Sequence, residues 1–555
     1  MKSVEFLTKQ TKCDNIFTYE DFTEEQKMMY DATKDFVERE VITNIDKIEK
    51  QEGTIVEDTL KKAGTLGLLG ISIPEDLGGL DMSFNTSMLI ADIIGEAGSF
   101  GTTYGAHTGI GTLPILYYGT EEQKKKYIPK LATGEMIGCY CLTEPGAGSD
   151  ANAGKTNAKI VETGGHYILN GQKIWISNGG FADIMIVFAK IEEDVSHSAF
   201  IVESKSDGIT MAPEEVKLGI KGSSTRQIFY ENVLVPKENL LGERGQGFEI
   251  ALNILNIGRI KLCASAIGGA KKTIEHTKTY VEDRVQFGKT ISNYGAIREK
   301  VSKMMSKTFV SESLMYRAGQ DIEERGKDIG TVKATSEYAI ECAIAKVHGS
   351  ETLDYVVDEA LQCHGGMGYS AELPIERAYR DSRIARIYEG TNEINRLMLV
   401  GQFLKKIKNK DVSITKNILK GYLKMLIPSF LIKTDSLSLV ENHKKLLSVL
   451  VQIVHSTYGK GLFEHQQVVM WLADIIIEIY ANESALLRSK KNNKTSQILM
   501  SKLYLYESNI LINNISHKIL DSTTDGFKRS LLKCLVNKLT SQKHINPELI
   551  TNMVY

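Results

Sequence analysis

The stretch "RIYEGTNEIN" (386–395) sets one carboxylate, Glu389, between Tyr388 and Gly390, just ahead of a Thr-Asn pair where a helix should start. Two chemistries fit it. An acid beside a helix N-terminus interacts favourably with the helix dipole. A carboxylate held on a glycine-tightened turn, out of water, has the makings of a general base. Other segments bear on the choice. "CLTEPGAGSDA" (141–151) has the spacing G-x-G-x-x-A, which suits a dinucleotide only where the loop opens a helix. Here it runs into "NAGKTNAKIVE", which reads as a strand, and this excludes a Rossmann loop. What remains is a turn around Gly148 with free N–H groups and the hydroxyls of Thr143 and Ser149. It suits an anionic or carbonyl-rich ligand, or is a plain strand connection. In "KIWISNGG" (173–180), Trp175 and Ser177 stand two residues apart, on one face of a strand. A flat aromatic surface beside a hydroxyl fits a planar heteroaromatic ring, and a core tryptophan is the simpler alternative. "EDRVQFGKTI" (282–291) and "QCHGGMGY" (362–369) add Arg284, a donor fork for phosphate, and Gly365-Gly366, where backbone can approach a ligand.

These residues need a large scaffold. The chain of 555 residues implies three or four domains, at roughly 150 residues each. The apolar fraction of 42% and charged fraction of 25% are those of a soluble globular protein. A formal net charge of −2 gives no basic field, so a nucleic-acid partner is not expected. The first residues, "MKSVEFLTKQTKCDNIF", lack a secretory h-region, and no uninterrupted apolar run approaches a membrane span. Seven cysteines without a C-x-x-C pair read as reduced thiols, with Cys139 and Cys141 on one strand face. Cys363-His364 has no metal-ligand partners, so no metal is expected. Together these features predict a cytoplasmic protein.

The pattern along the chain predicts three blocks and an extension. Residues 1–135 read as helical, with a capping box at Thr23-x-x-Gln26. Residues 136–240 hold short β-branched segments bounded by Gly, Pro or Asn, which predict an antiparallel, sandwich-like β domain; Asn170-Gly171 predicts a type I′ hairpin. Residues 241–400 return to long helices, near 247–281, 294–325 and 331–361. Residues 401–555 form a further helical region, with Leu472, Ile475, Ile476 and Ile479 at helical spacing. The fold class expected is mainly α with a central antiparallel β domain.

Taken together, "YCLTEPGAGSD", "KIWISNGG", "DRVQFGKTI", "QCHGGMGY" and "YEGTNEINR", in this order across this layout, resemble the acyl-CoA dehydrogenase family. "GAHTGIGT" (105–112), "NIGR" (256–259) and the helical extension are similar to its very-long-chain branch. The resemblance implies FAD between the β domain and the later helices. Tyr140, Leu142, Thr143, Gly148 and Ser149 match its flavin-binding strand and turn, with Ser149 also near CoA. Trp175 and Ser177 match contacts to the flavin ring. Arg284, Phe287, Gln362, Gly365 and Gly366 match an adenosine-pyrophosphate site completed by a second subunit, hence a homodimer. Thr391, Asn392 and Glu393 match further flavin contacts, and Asn256, Arg259, Tyr388 and Gly390 match substrate positions. Glu389 matches the base that takes the α-proton of an acyl-CoA thioester, giving a trans-2-enoyl-CoA. Some relatives carry the base one residue before the arginine matching Arg259, where this chain has Gly258.

The implied activity is the first step of fatty-acid β-oxidation, with an electron-transferring flavoprotein as acceptor. An oxygen-using acyl-CoA oxidase and a non-catalytic scaffold are the rival readings. Gly101, Thr102, Gly105 and Ala106, small residues at i, i+4 spacing, imply a deep acyl slot: medium-chain relatives carry bulky side chains at the positions of Thr102 and Ala106. From Leu404 to Lys433 there are eight lysines and one acid, Asp411. Lys416, Lys420 and Lys424 share one stripe, opposite Ile414, Ile418, Leu419, Tyr422, Met425 and Leu426, which predicts either peripheral contact with the inner face of a membrane or a packed helix with a solvated lysine face.

Overall fold

The computed structural model describes residues 2–161, 164–428, 431–432, 434–542 and 546–555. Thr23 closes its capping box in both directions, and helix Glu24–Phe36 follows. Helices then run to Thr133, strands from Gly138 to Leu241, and helices from Gly247 to the C-terminus.

The β domain contains strands β1 (Gly138–Cys141), β2 (Asn157–Ile160), β3 (His166–Ser177), β4 (Ile184–Ile191), β5 (Ser198–Glu203), β6 (Ile209–Met211), β7 (Thr225–Pro236) and β8 (Leu240–Leu241). Their order is β6-β7-β3-β2-β4-β5-β8, with β1 also on β4. Most pairings are antiparallel as expected, but β1 and β2 both run parallel to β4. The domain is therefore mixed around its central strand. The hairpin expected at Asn170-Gly171 is absent, because β3 passes straight through it with a register shift between Leu169 and Gly171. Asn170 instead pairs with Asn232 across β7, accepting its N–H at 2.8 Å. The reversal between β2 and β3 comes earlier, where Val161 N–H donates to His166 O at 3.0 Å. Cys139 and Cys141 do share a buried face, with Sγ atoms 3.8 Å apart and unbonded.

Helices Gly247–Asp283, Gly295–Ile329 and Ala339–His364 form the bundle. The first is long and apolar enough to cross a membrane, but 67% of its most apolar window is buried inside the protein. A Cβ on its Gly268 would lie 1.6 Å from Asp92 O, so glycine is what lets helix Phe84–Ile94 pack directly against it. The extension is continuous with this bundle. Leu472, Ile475, Ile476 and Ile479 are buried in the same apolar cluster as Val310, Leu314 and Ile344. The amino-terminal segment straps the two together: Val4 N–H and Ser3 Oγ donate to Glu341, and Arg488 of the extension grips Glu20 at 3.0 Å.

The basic segment splits between the two alternatives. Ile414 is buried, and Ile418, Tyr422 and Met425 pack on the core. Leu419, Leu423 and Leu426 stay exposed beside Lys416 and Lys420. The helix ends at Leu423, and Lys433 lies outside the described residues.

Candidate active site

Glu389 and Gly390 are consecutive left-handed residues, with φ of 58° and 78°. For a glutamate this conformation costs roughly 1–2 kcal/mol, so the surroundings must hold it. They do so through backbone carbonyls. Arg259 Nε donates to Glu389 O at 3.2 Å, from helix Gly247–Asp283. Lys346 Nζ donates to Gly390 O at 2.8 Å, from helix Ala339–His364. Asn395 Nδ2 lies within 2.8–3.3 Å of the carbonyls of residues 389, 390 and 391. Thr391 caps the next helix by accepting Ile394 N–H at 3.2 Å. The turn is clamped, but the side chain it presents is not. Glu389 Oε2 is buried with no hydrogen-bond partner among the described residues. Burial pushes the carboxyl up to about 7, against the opposing pull of Arg259 and Lys346.

That carboxyl opens on a cavity of about 540 Å³. Gly258, the alternative site for a base, faces it directly: a Cβ there would lie 2.9 Å from Glu389 Oε2. The two positions are thus one place in space, and glycine at 258 makes room for the glutamate. One face of the same helix lines the cavity from Gly258 to His276, a distance of roughly 27 Å at 1.5 Å per residue. Gly101, Thr102, Gly105 and Ala106 also line it, where helix Ser99–Gly105 runs into a wider turn. Tyr388 is beside Glu389, and desolvation raises its phenol to about 12.

The residues matched to a flavin divide into two groups. Tyr140 and Leu142 are buried, Thr143 is partly exposed, and Gly148 and Ser149 are open to solvent. The Tyr140 hydroxyl has no partner among the described residues and lies within the influence of Glu389. Trp175 does not share a regular strand face with Ser177. It sits in a register shift of β3 at φ 61° and is 56% exposed, presenting its ring outward, while Ser177 lines the cavity. An orphaned buried phenol, an outward indole and an open Gly-rich turn next to the cavity fit a large planar group carrying polar atoms. Beneath the turn, Lys173 Nζ pairs with Glu144 at 2.8 Å. Burial opposes the Glu144 charge, but Lys173 and two backbone N–H groups hold the carboxyl down at about 2.

The second group is not brought to the cavity. Phe287 is 95% exposed on the short hairpin Val285–Gln286/Lys289–Thr290, and Arg284, Gln362, Gly365 and Gly366 are exposed near it or at the end of helix Ala339–His364. A site completed by another subunit would leave them so in one chain. Asn392 has a different place: it is buried, accepting from Lys346 and donating to Ser350 and Glu351. Glu393 is exposed. Asn256 and Arg259, matched to substrate contacts, are each 5% exposed, and their polar atoms meet each other at 2.6 Å and the base's carbonyl. They position the turn. Sequence reasoning missed Lys346 and the Lys173–Glu144 pair; the one signal was a lone lysine beside short apolar runs, "KIWI" and "AIAKV". No group of metal-ligating side chains occurs among the described residues.

Comparison with known proteins agrees with this geometry. Family models for acyl-CoA dehydrogenase match as the N-terminal domain at residues 23–135, the middle domain at 139–233 and C-terminal domains at 245–404 and 442–538. A probable acyl-CoA dehydrogenase of Bacillus subtilis is 42% identical over 96% of this chain and 93% of its own. A very long-chain specific acyl-CoA dehydrogenase of Macaca fascicularis is 41% identical over 63% of this chain, and the match spans about half, 53%, of that enzyme. The crystal structure of an acyl-CoA dehydrogenase from Bacillus anthracis, complexed with FAD, superposes with a TM-score of 0.97 at 42% identity, covering 100% of this chain and 98% of that one. The chain belongs to the acyl-CoA dehydrogenase family of FAD-dependent oxidoreductases.

Proposed function

We propose that the protein desaturates long-chain fatty acyl-CoA at the α,β-bond, with Glu389 as the base, in the first step of β-oxidation. The observation that carries this reading is the unpartnered Glu389 carboxyl at the end of a long apolar cavity. Its raised pKa brings its basicity closer to that of a weak carbon acid. Glu389 takes the α-proton. As charge develops on the thioester oxygen, the Glu389 backbone N–H is the donor this chain contributes. Tyr140, Leu142, Thr143, Trp175 and Ser177 would hold the flavin beside the cavity, and bound FAD supplies the acceptor for the hydride leaving the β-carbon. The cavity walls of glycine, alanine and threonine favour a long chain over a short one, since each buried methylene contributes ~0.8 kcal/mol.

The exposed Arg284, Phe287, Gln362 and glycine pair support a homodimer in which a second subunit completes the adenosine end. As acceptor we assign an electron-transferring flavoprotein, because the relatives matched over most of the chain are named dehydrogenases. The exposed row Leu419, Leu423 and Leu426 beside Lys416 and Lys420 supports peripheral contact with an anionic membrane face; co-sedimentation with anionic liposomes, lost in high salt and in Lys416→Glu/Lys420→Glu, tests it. The experiment for the function itself is anaerobic addition of acyl-CoAs of increasing length to the purified yellow protein. Bleaching that strengthens with chain length supports the reading, and an unbleached flavin at every length overturns it. Oxygen uptake exceeding flavoprotein reduction would favour the oxidase.

A further inference from the structure

The acyl cavity contains a cation that neither the base nor a flavin uses. Lys261 stands one turn beyond Gly258 on the lining face of helix Gly247–Asp283, about 4.5 Å further along the axis. Leu262, Ser265, Ala266 and Gly269 continue that face. The other lysine and arginine among the described lining residues are paired: Lys272 with Glu275 at 3.2 Å and Arg377 with Asp46 at 3.5 Å. Among the described residues Lys261 has no hydrogen bond or ion pair, and burial alone shifts its ammonium down, to about 8, with no carboxylate to offset it. Nearby hydroxyls are committed elsewhere, Ser265 donating to Ala91 O and Ser87 to Phe84 O.

A cation left unpaired against an apolar chain is unfavourable. A slot meant only for methylenes would be better lined by methionine or leucine at this point. The unfavourable contact disappears if the bound chain brings its own anion. We propose that Lys261 is a specificity-determining residue that reads a carboxylate on the acyl chain, so that carboxyl-ended acyl-CoAs are substrates alongside or ahead of methyl-ended ones. The inference rests on the acyl-CoA reading above. It places the carboxylate several bonds past the β-carbon, because Gly258, one turn back, is the residue that faces the reacting carbons through Glu389. A site built around a charged partner rejects ligands lacking it more strongly than an apolar slot rejects one methylene.

The test is kcat/KM for matched pairs of acyl-CoAs, methyl-ended and carboxyl-ended at equal carbon number, over a ladder of lengths. Wild type is expected to show a length at which the carboxyl-ended member is the better substrate. Lys261→Met, nearly isosteric and neutral, is expected to lower the carboxyl-to-methyl ratio at that length by about tenfold or more, mainly through KM. Lys261→Arg, which restores a cation, should recover much of the ratio. FAD content and melting temperature, measured on each variant, show that the fold is retained. A ratio unchanged in Lys261→Met at every length, with methyl-ended chains still bleaching the flavin, overturns this inference alone. Failure of both members of every pair to bleach the wild-type flavin overturns the acyl-CoA reading with it.

Discussion

Two buried carboxylates in this chain are treated in opposite ways. Glu483, in the helical extension, accepts from Arg317 at 2.8 Å, Lys444 at 2.5 Å and the Thr11 hydroxyl at 3.2 Å. Burial raises its pKa, but the two cations outweigh that and the net shift is downward. Glu389 also has two cations nearby, Arg259 and Lys346, yet their donors go to the carbonyls of Glu389 and Gly390 and to the side chains of Asn256 and Asn392, and its own oxygen Oε2 is left alone among the described residues. Its pKa moves up. The fold can satisfy a buried acid fully where the task is to join the strap, bundle and extension. Where an acid must accept a proton, the same residue types hold the backbone in place and leave the side chain free.

The comparison breaks most clearly at Glu389 itself. Glu389→Gln keeps the shape and removes the proton acceptor, so the rate of flavin bleaching by acyl-CoA should fall by about 10⁴-fold, the top of the range for acid–base groups, with FAD still bound. At the other carboxylate the effect should be on stability. Arg317→Ala strands Glu483 without a main partner and should lower the unfolding free energy by about 3–5 kcal/mol, read as a lower denaturant midpoint, with bleaching kinetics unchanged. Arg259→Met sharpens the contrast. Removing a cation that favours the ionised form should move the midpoint of the pH–rate profile upward by about one unit or more, and slow the reaction at neutral pH accordingly. The smallest effect is on chain length. Thr102→Gln with Ala106→Glu puts bulk on the cavity wall and should shift the preferred acyl chain shorter, each lost methylene forfeiting ~0.8 kcal/mol in kcat/KM; a ladder of acyl-CoA lengths reads it.

Much of this was legible in the sequence because the signals were local. The capping box at Thr23, the turn from strands to helices near residue 241, and the glycine beside Glu389 each follow from neighbouring residue types. What was not legible depends on distant partners. Asn170-Gly171 reads as a hairpin locally, but the approach of Thr156, 2.6 Å from a Cβ built on Gly171, shows the glycine serving a close strand contact. Trp175 breaks the two-residue alternation because a register shift against β7 intervenes. Lys346 is matched to nothing by spacing, and Arg259, expected at the substrate, gives no local sign of its clamp, since the turn the two hold is 44 and 130 residues away. The parallel pairings of β1 and β2 on β4 likewise join segments whose patterns carry no direction.

The central claim is that Glu389, left unpaired, is the base, and the pH dependence of kcat/KM for flavin bleaching under sub-saturating acyl-CoA tests it most directly. This quantity reports the free protein. The carboxyl is raised to about 7 by burial, and only its ionised form accepts a proton. The rate should therefore rise about tenfold per pH unit below that value and level off above it. A profile flat across neutrality, or one whose midpoint lies at the ordinary carboxylate value of about 4.3, would contradict the account.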